Sequence, residues 1–174
     1  MRTPLVVAVA LVVALAAGKW MANQWCVYPK VPDRNVYRVA YVYDGDTIKL
    51  DNGGHVRLIG IDAPEAHDNE KLSRDVKRRH TGRQTQLDMG EQASRFARAL
   101  LQGQQVRLEF DVERRDRYHR LLAYVYLNDG TFVNEKIIRE GYAYPLTVPP
   151  NVRYADRFKQ WFDEARQNRR GLWR

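Results

Sequence analysis

Residues 36–61 read V-Y-R-V-A-Y-V-Y-D-G-D-T-I-K-L-D-N-G-G-H-V-R-L-I-G-I, and their reading decides the fold. Three runs, 36–43, 47–50 and 55–61, are rich in β-branched and aromatic residues, and Asp44-Gly45 and Asn52-Gly53-Gly54 separate them. Alternation at period two marks a half-buried strand, and Asp-Gly and Asn-Gly mark turns because glycine accepts positive φ. A three-stranded meander is expected. A turn accounts for Asp44 and Gly45, but not for a second acid, Asp46, where the next strand begins beside Thr47.

Outward from the meander, residues 66–89 carry many charges and little apolar periodicity, which predicts a long surface loop. Residues 91–101 place Ala93, Phe96, Ala97, Leu100 and Leu101 on one helical face that stops before Gly103. Two further strands, 105–112 and 121–127, bracket the polar hairpin 113–120. A short helix over 133–141 and an amphipathic one over 151–168 follow, the latter with Tyr154, Phe158, Trp161, Phe162 and Ala165 inward. The order predicts an α+β domain: a five-stranded Greek-key barrel of the OB type with three helices, over residues 35–174.

The 174 residues suit one domain with one core. Lys and Arg number 29 against 21 Asp and Glu, a formal charge of +8, which favours an anionic partner, nucleic acid or anionic lipid. Ahead of the domain, residues 5–18 are an apolar run behind Arg2, and Lys19 follows. The run has the form of an export signal, with Ala14-Leu15-Ala16 as small residues for a peptidase. As a helix it spans roughly 21 Å, short of a hydrocarbon core of about 30 Å. Snorkelling of Lys19, with Trp20 and Met21 at the interface, makes a retained anchor over residues 4–22 the competing reading. Either way the protein is expected outside the cytoplasm or tethered to a membrane, with residues 19–34 as linker. Cys26 is the only cysteine, so no internal disulfide exists.

Four stretches need one explanation: Asp44-Gly45-Asp46-Thr47, Arg57, Asp62-Ala63-Pro64-Glu65, and Arg120. Asp46 begins one strand and Asp62 ends its neighbour, so their carboxylates can approach across the meander. Two acids that close repel unless a proton or cation lies between them, and a hard cation such as Ca2+ suits oxygen donors. Two arginines can each offer a planar fork to a phosphate. Glu65, three residues past Asp62, is placed to orient or deprotonate a water. Singly, each residue has an ordinary structural role in a turn, strand or loop.

Together these residues resemble the staphylococcal nuclease, or thermonuclease, family. The resemblance is carried by D-G-D-T at 44–47, R-L-I-G-I-D-A-P-E at 57–65, D-R-Y-H-R-L-L-A-Y-V-Y at 116–126, V-N-E at 133–135 and G-L-W at 171–173. It implies an OB-fold enzyme that hydrolyses phosphodiester bonds in DNA and RNA with Ca2+, expected as a monomer. It further implies that Asp46, Asp62 and the backbone carbonyl of Ala63 hold the metal, with Asp44 near it through water. Arg57 and Arg120 would grip the phosphate, and Glu65 would be the general base. The family's two base-stacking tyrosines fall on Thr147 and Pro149, so stacking is expected from Tyr118, Tyr142 or Tyr144. Arg117 and Tyr118 in the hairpin, and Lys77, Arg78 and Arg79 in the basic loop, are candidate substrate contacts. The main alternative is an inactive OB-fold module that binds nucleic acid without cutting, which would not need the five acids and arginines together.

Fusing residues 1–34 to a reporter active only outside the cytoplasm should give signal. A silent reporter removes the expectation of export.

Overall fold

The computed structural model describes residues 36–174. The export or anchor segment 1–18, the linker 19–34, the span 4–22 and Cys26 lie outside the described residues. Among the described residues no helix is long and apolar enough to cross a membrane.

The meander forms as expected, with β1 Val36–Val42, β2 Thr47–Leu50 and β3 His55–Leu58. β5 Gln105–Glu109 and β6 Leu121–Leu127 complete a closed barrel in the order β1-β2-β3-β6-β5. All neighbours are antiparallel except β3 and β6, which run parallel. Val39, Val42, Ile48, Leu50, Val56, Leu58, Val106, Leu108, Ala123 and Val125 are all buried, and most sit at alternate positions along the five strands. Closure leaves no edge strand to protect.

The run 55–61 is not one strand. It breaks at Gly60, whose φ is +84°, and resumes as β4 Gly60–Asp62, which pairs with β7 Tyr144–Leu146 in a separate two-stranded sheet. A Cβ at Gly60 would meet the Phe158 ring at 2.0 Å, so both the conformation and the space require glycine. Asn134, fully buried in the V-N-E stretch, accepts from the Val125 amide at 2.9 Å and donates to the Ile59 carbonyl at 2.8 Å. It clips the bend onto the barrel.

The expected loop over 66–89 is instead mostly helical. α1 spans Glu70–Arg79 and α2 spans Arg83–Leu101, so among the described residues four α-helices stand where three were expected. Asn69 caps α1 by accepting from the Leu72 amide, and Glu70 at its start with Lys77, Arg78 and Arg79 at its end complement the helix dipole. The buried positions of α1 are Leu72 and Asp75. Apolar periodicity fails there because half of the inner face is ionic. α3 Val133–Arg139 and α4 Ala155–Gln167 match expectation, α4 beginning four residues later than predicted, with Phe158, Trp161 and Ala165 buried. β5 ends at Glu109, three residues earlier than predicted, and Val112 is exposed.

Candidate active site

The bend at Gly60 returns the chain to the start of β2, and this places the two acids together. The Ala63 amide donates to Asp46 Oδ2 at 2.7 Å, and the Thr47 hydroxyl donates to Asp46 Oδ1 at 3.0 Å. Thr47 pairs with Arg57 in the β2–β3 ladder, so the guanidinium lies beside both carboxylates. Its Nη2 is 3.1 Å from Asp46 Oδ2 and 3.4 Å from Asp62 Oδ1. Its Nη1 donates to the Leu58 carbonyl at 3.0 Å and the Ile61 carbonyl at 2.8 Å, bracing the bend. The Arg57 and Asp46 side chains are only 12% and 3% exposed, so losing either partner would strand a desolvated charge.

Asp62 attracts three more cations, all from α1. Lys71 Nζ lies 3.0 Å from Oδ1, while Arg79 Nη2 and Arg78 Nη2 lie 2.9 Å and 3.1 Å from Oδ2. Burial alone would raise the Asp62 carboxyl, but Lys71 and then Arg57 hold it below the usual carboxylate range. Lys71 also reaches Glu65 Oε1 at 2.6 Å and donates to the Ala63 carbonyl at 3.3 Å. Burial would lower the Lys71 ammonium, yet the surrounding charges of Asp46, Asp62 and Glu65 raise it. The acids therefore do not stand in bare repulsion, because the helix supplies their counter-ions.

Glu65 is fixed from two sides. Its second oxygen accepts from Asn69 at 2.8 Å, and its backbone lies so close to α2 that a Cβ on Gly90 would sit 2.1 Å from its carbonyl oxygen. Asp44 Oδ1 accepts the Asp46 amide at 2.9 Å and shapes the turn. Its carboxyl is pushed up to about 7, first by burial and then by the Asp46 charge.

Arg120 enters from the β5–β6 hairpin. Leu121 pairs with Val56 and Leu122 with Arg57, so Arg120 stands just ahead of the strand that flanks Arg57. Asp116 organises the hairpin, accepting from the Tyr118 and Arg120 amides and from Arg120 Nε at 2.8 Å. Tyr118 is exposed, with Arg117 at 4.8 Å and Arg120 at 5.5 Å from its ring centre.

The structure thus brings together Asp44, Asp46, Arg57, Asp62, Ala63 and Glu65. Of the basic trio, Lys77 is exposed, Arg78 reaches Asp62 with its side chain 57% exposed, and Arg79 turns inward to Asp62. Arg79 also lies over the Tyr144 ring at 3.2 Å, and Tyr142 stacks on Phe96 at 4.2 Å, so each of these half-buried tyrosines already has one ring face covered from within the protein. Sequence reasoning missed Lys71 and Gly90. Lys71 looked like one charge among many, because Glu65 lies ahead of the helix that carries Lys71 and no periodicity links the two.

Among the described residues no three His, Cys, Asp or Glu side chains form a cage for a metal. The donors instead mix carboxylates with a main-chain carbonyl. Asp62, Glu65 and the Ala63 carbonyl all converge on one positive centre, the Lys71 ammonium, which stands in for a cation. Hard oxygen donors of this kind fit Ca2+.

A closed OB-type barrel carrying this acid and arginine constellation is the architecture of a phosphodiester-hydrolysing nuclease. Residues 55–174 match the family model described as staphylococcal nuclease homologue. The chain is 36% identical over 144 residues to the thermonuclease of Staphylococcus hyicus, covering 81% of this chain and 77% of that one. It is 39% identical over 140 residues to the thermonuclease of Staphylococcus intermedius, covering 79% and 75%. Endonuclease YncB of Bacillus subtilis (strain 168) matches at 37% over 135 residues, covering 75% and 57%. The chain belongs to the staphylococcal nuclease family.

The Asp44 carboxyl carries a sign for stability. Its folded value lies above the ordinary 3.8, so the folded state holds a proton that the unfolded chain has lost between about pH 4 and 7. Stability from this group is full below the lower value and is lost as pH rises through the higher. Asp44→Asn removes the effect, so in chelator its melting temperature should rise relative to wild type between pH 4 and 8. A difference that does not change with pH contradicts the assignment.

Proposed function

We propose that the protein is a Ca2+-dependent nuclease acting on DNA and RNA, exported or membrane-tethered. The observation that carries this reading is the convergence of the Asp62, Glu65 and Ala63 oxygens on one cationic point beside Arg57. Asp46, Asp62 and the Ala63 carbonyl are the residues that would hold Ca2+. When bound, the ion supplies Lewis-acid stabilisation of charge on the phosphoryl oxygens. Lys71 fills the point of convergence, so its side chain has to withdraw whenever a divalent cation is held there.

The remaining chemistry belongs to the protein's side chains. Arg120, tied to Asp116 only through Nε, keeps its terminal nitrogens for the scissile phosphate, and Arg57, its own nitrogens committed to the acids and the bend, adds fixed positive charge beside it; together they stabilise the charge that grows on the phosphate. Glu65, pinned by Asn69 and by α2, orients a water and accepts its proton as the water oxygen bonds to phosphorus. The opposite ester P–O bond breaks, and Arg120 stabilises the leaving oxygen. Export is supported by the sequence of residues 1–18. The inactive binding module remains the alternative, and retention of all five residues favours the enzyme.

Hydrolysis of DNA should appear with Ca2+ and vanish with chelator; activity that persists in chelator refutes the metal reading. Lys71→Met removes the competing ammonium, and titration calorimetry should show Ca2+ bound about tenfold tighter or more, equal to roughly 1.4 kcal/mol. Unchanged or weaker binding would place Lys71 outside the cation site.

Arg120→Lys keeps the charge but loses the fork, and should lower kcat by about 10². An unchanged kcat with a raised KM would make Arg120 a binding residue only.

A further inference from the structure

The outer face of the barrel beside the active site carries exposed aromatic rings with no structural task. Tyr41 and Tyr43 are 48% and 37% exposed, and His55 is exposed as well. Their rings touch in series: Tyr41 and Tyr43 pack edge to face at 5.1 Å, and Tyr43 and His55 lie 5.3 Å apart. The register shows why they share a face. β1 shifts register between Val39 and Tyr41, and the shift leaves both Ala40 and Tyr41 outward. Without that bulge, strict alternation from buried Val39 would turn Tyr41 into the core. Re-aiming a side chain next to a functional site is a recurring use of bulges.

Across the sheet, Tyr41 pairs with Lys49 and Lys49 pairs with His55. Tyr43 bonds to Thr47 through the backbone, and Thr47 pairs with Arg57. The face therefore holds two rows that end at the site. One row runs Tyr43, Thr47, Arg57; the other runs Tyr41, Lys49, His55, with Arg120 just beyond His55 in the β3–β6 register. Tyr43 is followed directly by Asp44. From β3 to β1 is about two strand spacings, roughly 10 Å. At about 3.4 Å per stacked nucleotide that distance corresponds to roughly three nucleotides.

Exposed aromatics next to a basic side chain, continuous with a phosphate-gripping arginine pair, form a stacking platform for single-stranded nucleic acid. Charge fits the same occupant, since Lys49 lies between the rings and the chain carries +8 overall. We propose that Tyr41, Tyr43 and His55, with Lys49, bind the single-stranded flank of the substrate by base stacking. They supply on the barrel face what Thr147 and Pro149 do not supply, with more exposed ring surface than Tyr142 and Tyr144, which are half-buried against Phe96 and Arg79. This inference rests on the nuclease reading above and adds the strand's path to it.

The test is fluorescence anisotropy of a labelled oligothymidylate of about 12 nucleotides, within the range OB folds occupy. It uses the full chain in chelator at low salt, where no cleavage intervenes. The paired substitution Tyr41→Ala with Tyr43→Ala should raise Kd about tenfold or more. Tyr41→Phe with Tyr43→Phe keeps the rings and should bind within about twofold of wild type, which separates stacking from the hydroxyls. Lys49→Gln should flatten the salt slope by about 0.7. An alanine pair that binds as wild type overturns the proposal, as does a wild type without measurable binding. Hydrolysis with Ca2+ on the same wild-type preparation keeps the two readings apart. Cleavage without an effect of the alanine pair removes only the stacking strip. Loss of affinity in the alanine pair without wild-type cleavage leaves the strip as a binding surface and removes the nuclease.

Discussion

One guanidinium between two buried carboxylates is the constraint on which the rest depends. Arg57 touches Asp46, Asp62 and two carbonyls of the bend that carries Asp62, so it neutralises the site and shapes it. Among the described residues it is the one cation that touches both Asp46 and Asp62, and it offsets the cost of burying them together. Placing it requires β2 and β3 in register, and placing Asp62 requires the chain to leave the barrel at Gly60. Phe158 packs where a side chain at Gly60 would stand, and Asn134 ties the bend to β6, so α3 and α4 also serve the geometry of two acids.

The second determinant is α1. Its Lys71, Arg78 and Arg79 give Asp62 three counter-ions, while Arg79 is clamped between Asp62 and the Tyr144 ring. The docking of α1 is shared between the fully buried Leu72, the Arg79 contact with Tyr144 and the ion pairs to the acids it covers. The same packing covers one face of the half-buried Tyr144 ring, and Phe96 covers one face of Tyr142, whereas Tyr118 and the tyrosines of the barrel face are exposed.

Where sequence reading failed, it failed for a definable reason. Residues 70–79 look like a loop because apolar periodicity is the signal for a helix, and here Asp75 and Arg79 occupy positions that would usually be apolar. The bulge in β1 was equally hidden, since Ala40 and Tyr41 fit alternation in either phase until the pairing with β2 is known. The contact of Arg79 with Asp62 was hidden as well, because a helix turning it inward leaves no trace in composition.

The sequence by itself determined the barrel, because period-two alternation and Gly-rich turns are local signals, and it named the acids and arginines through their spacing. Only the tertiary structure decided which charges meet: that Lys71 stands where three oxygens converge, that Gly90 lets α2 lie against Glu65, and that Tyr41 faces outward. Each of those depends on contacts between residues distant in register or packing, and charge pairing and close approach carry no periodicity along the chain.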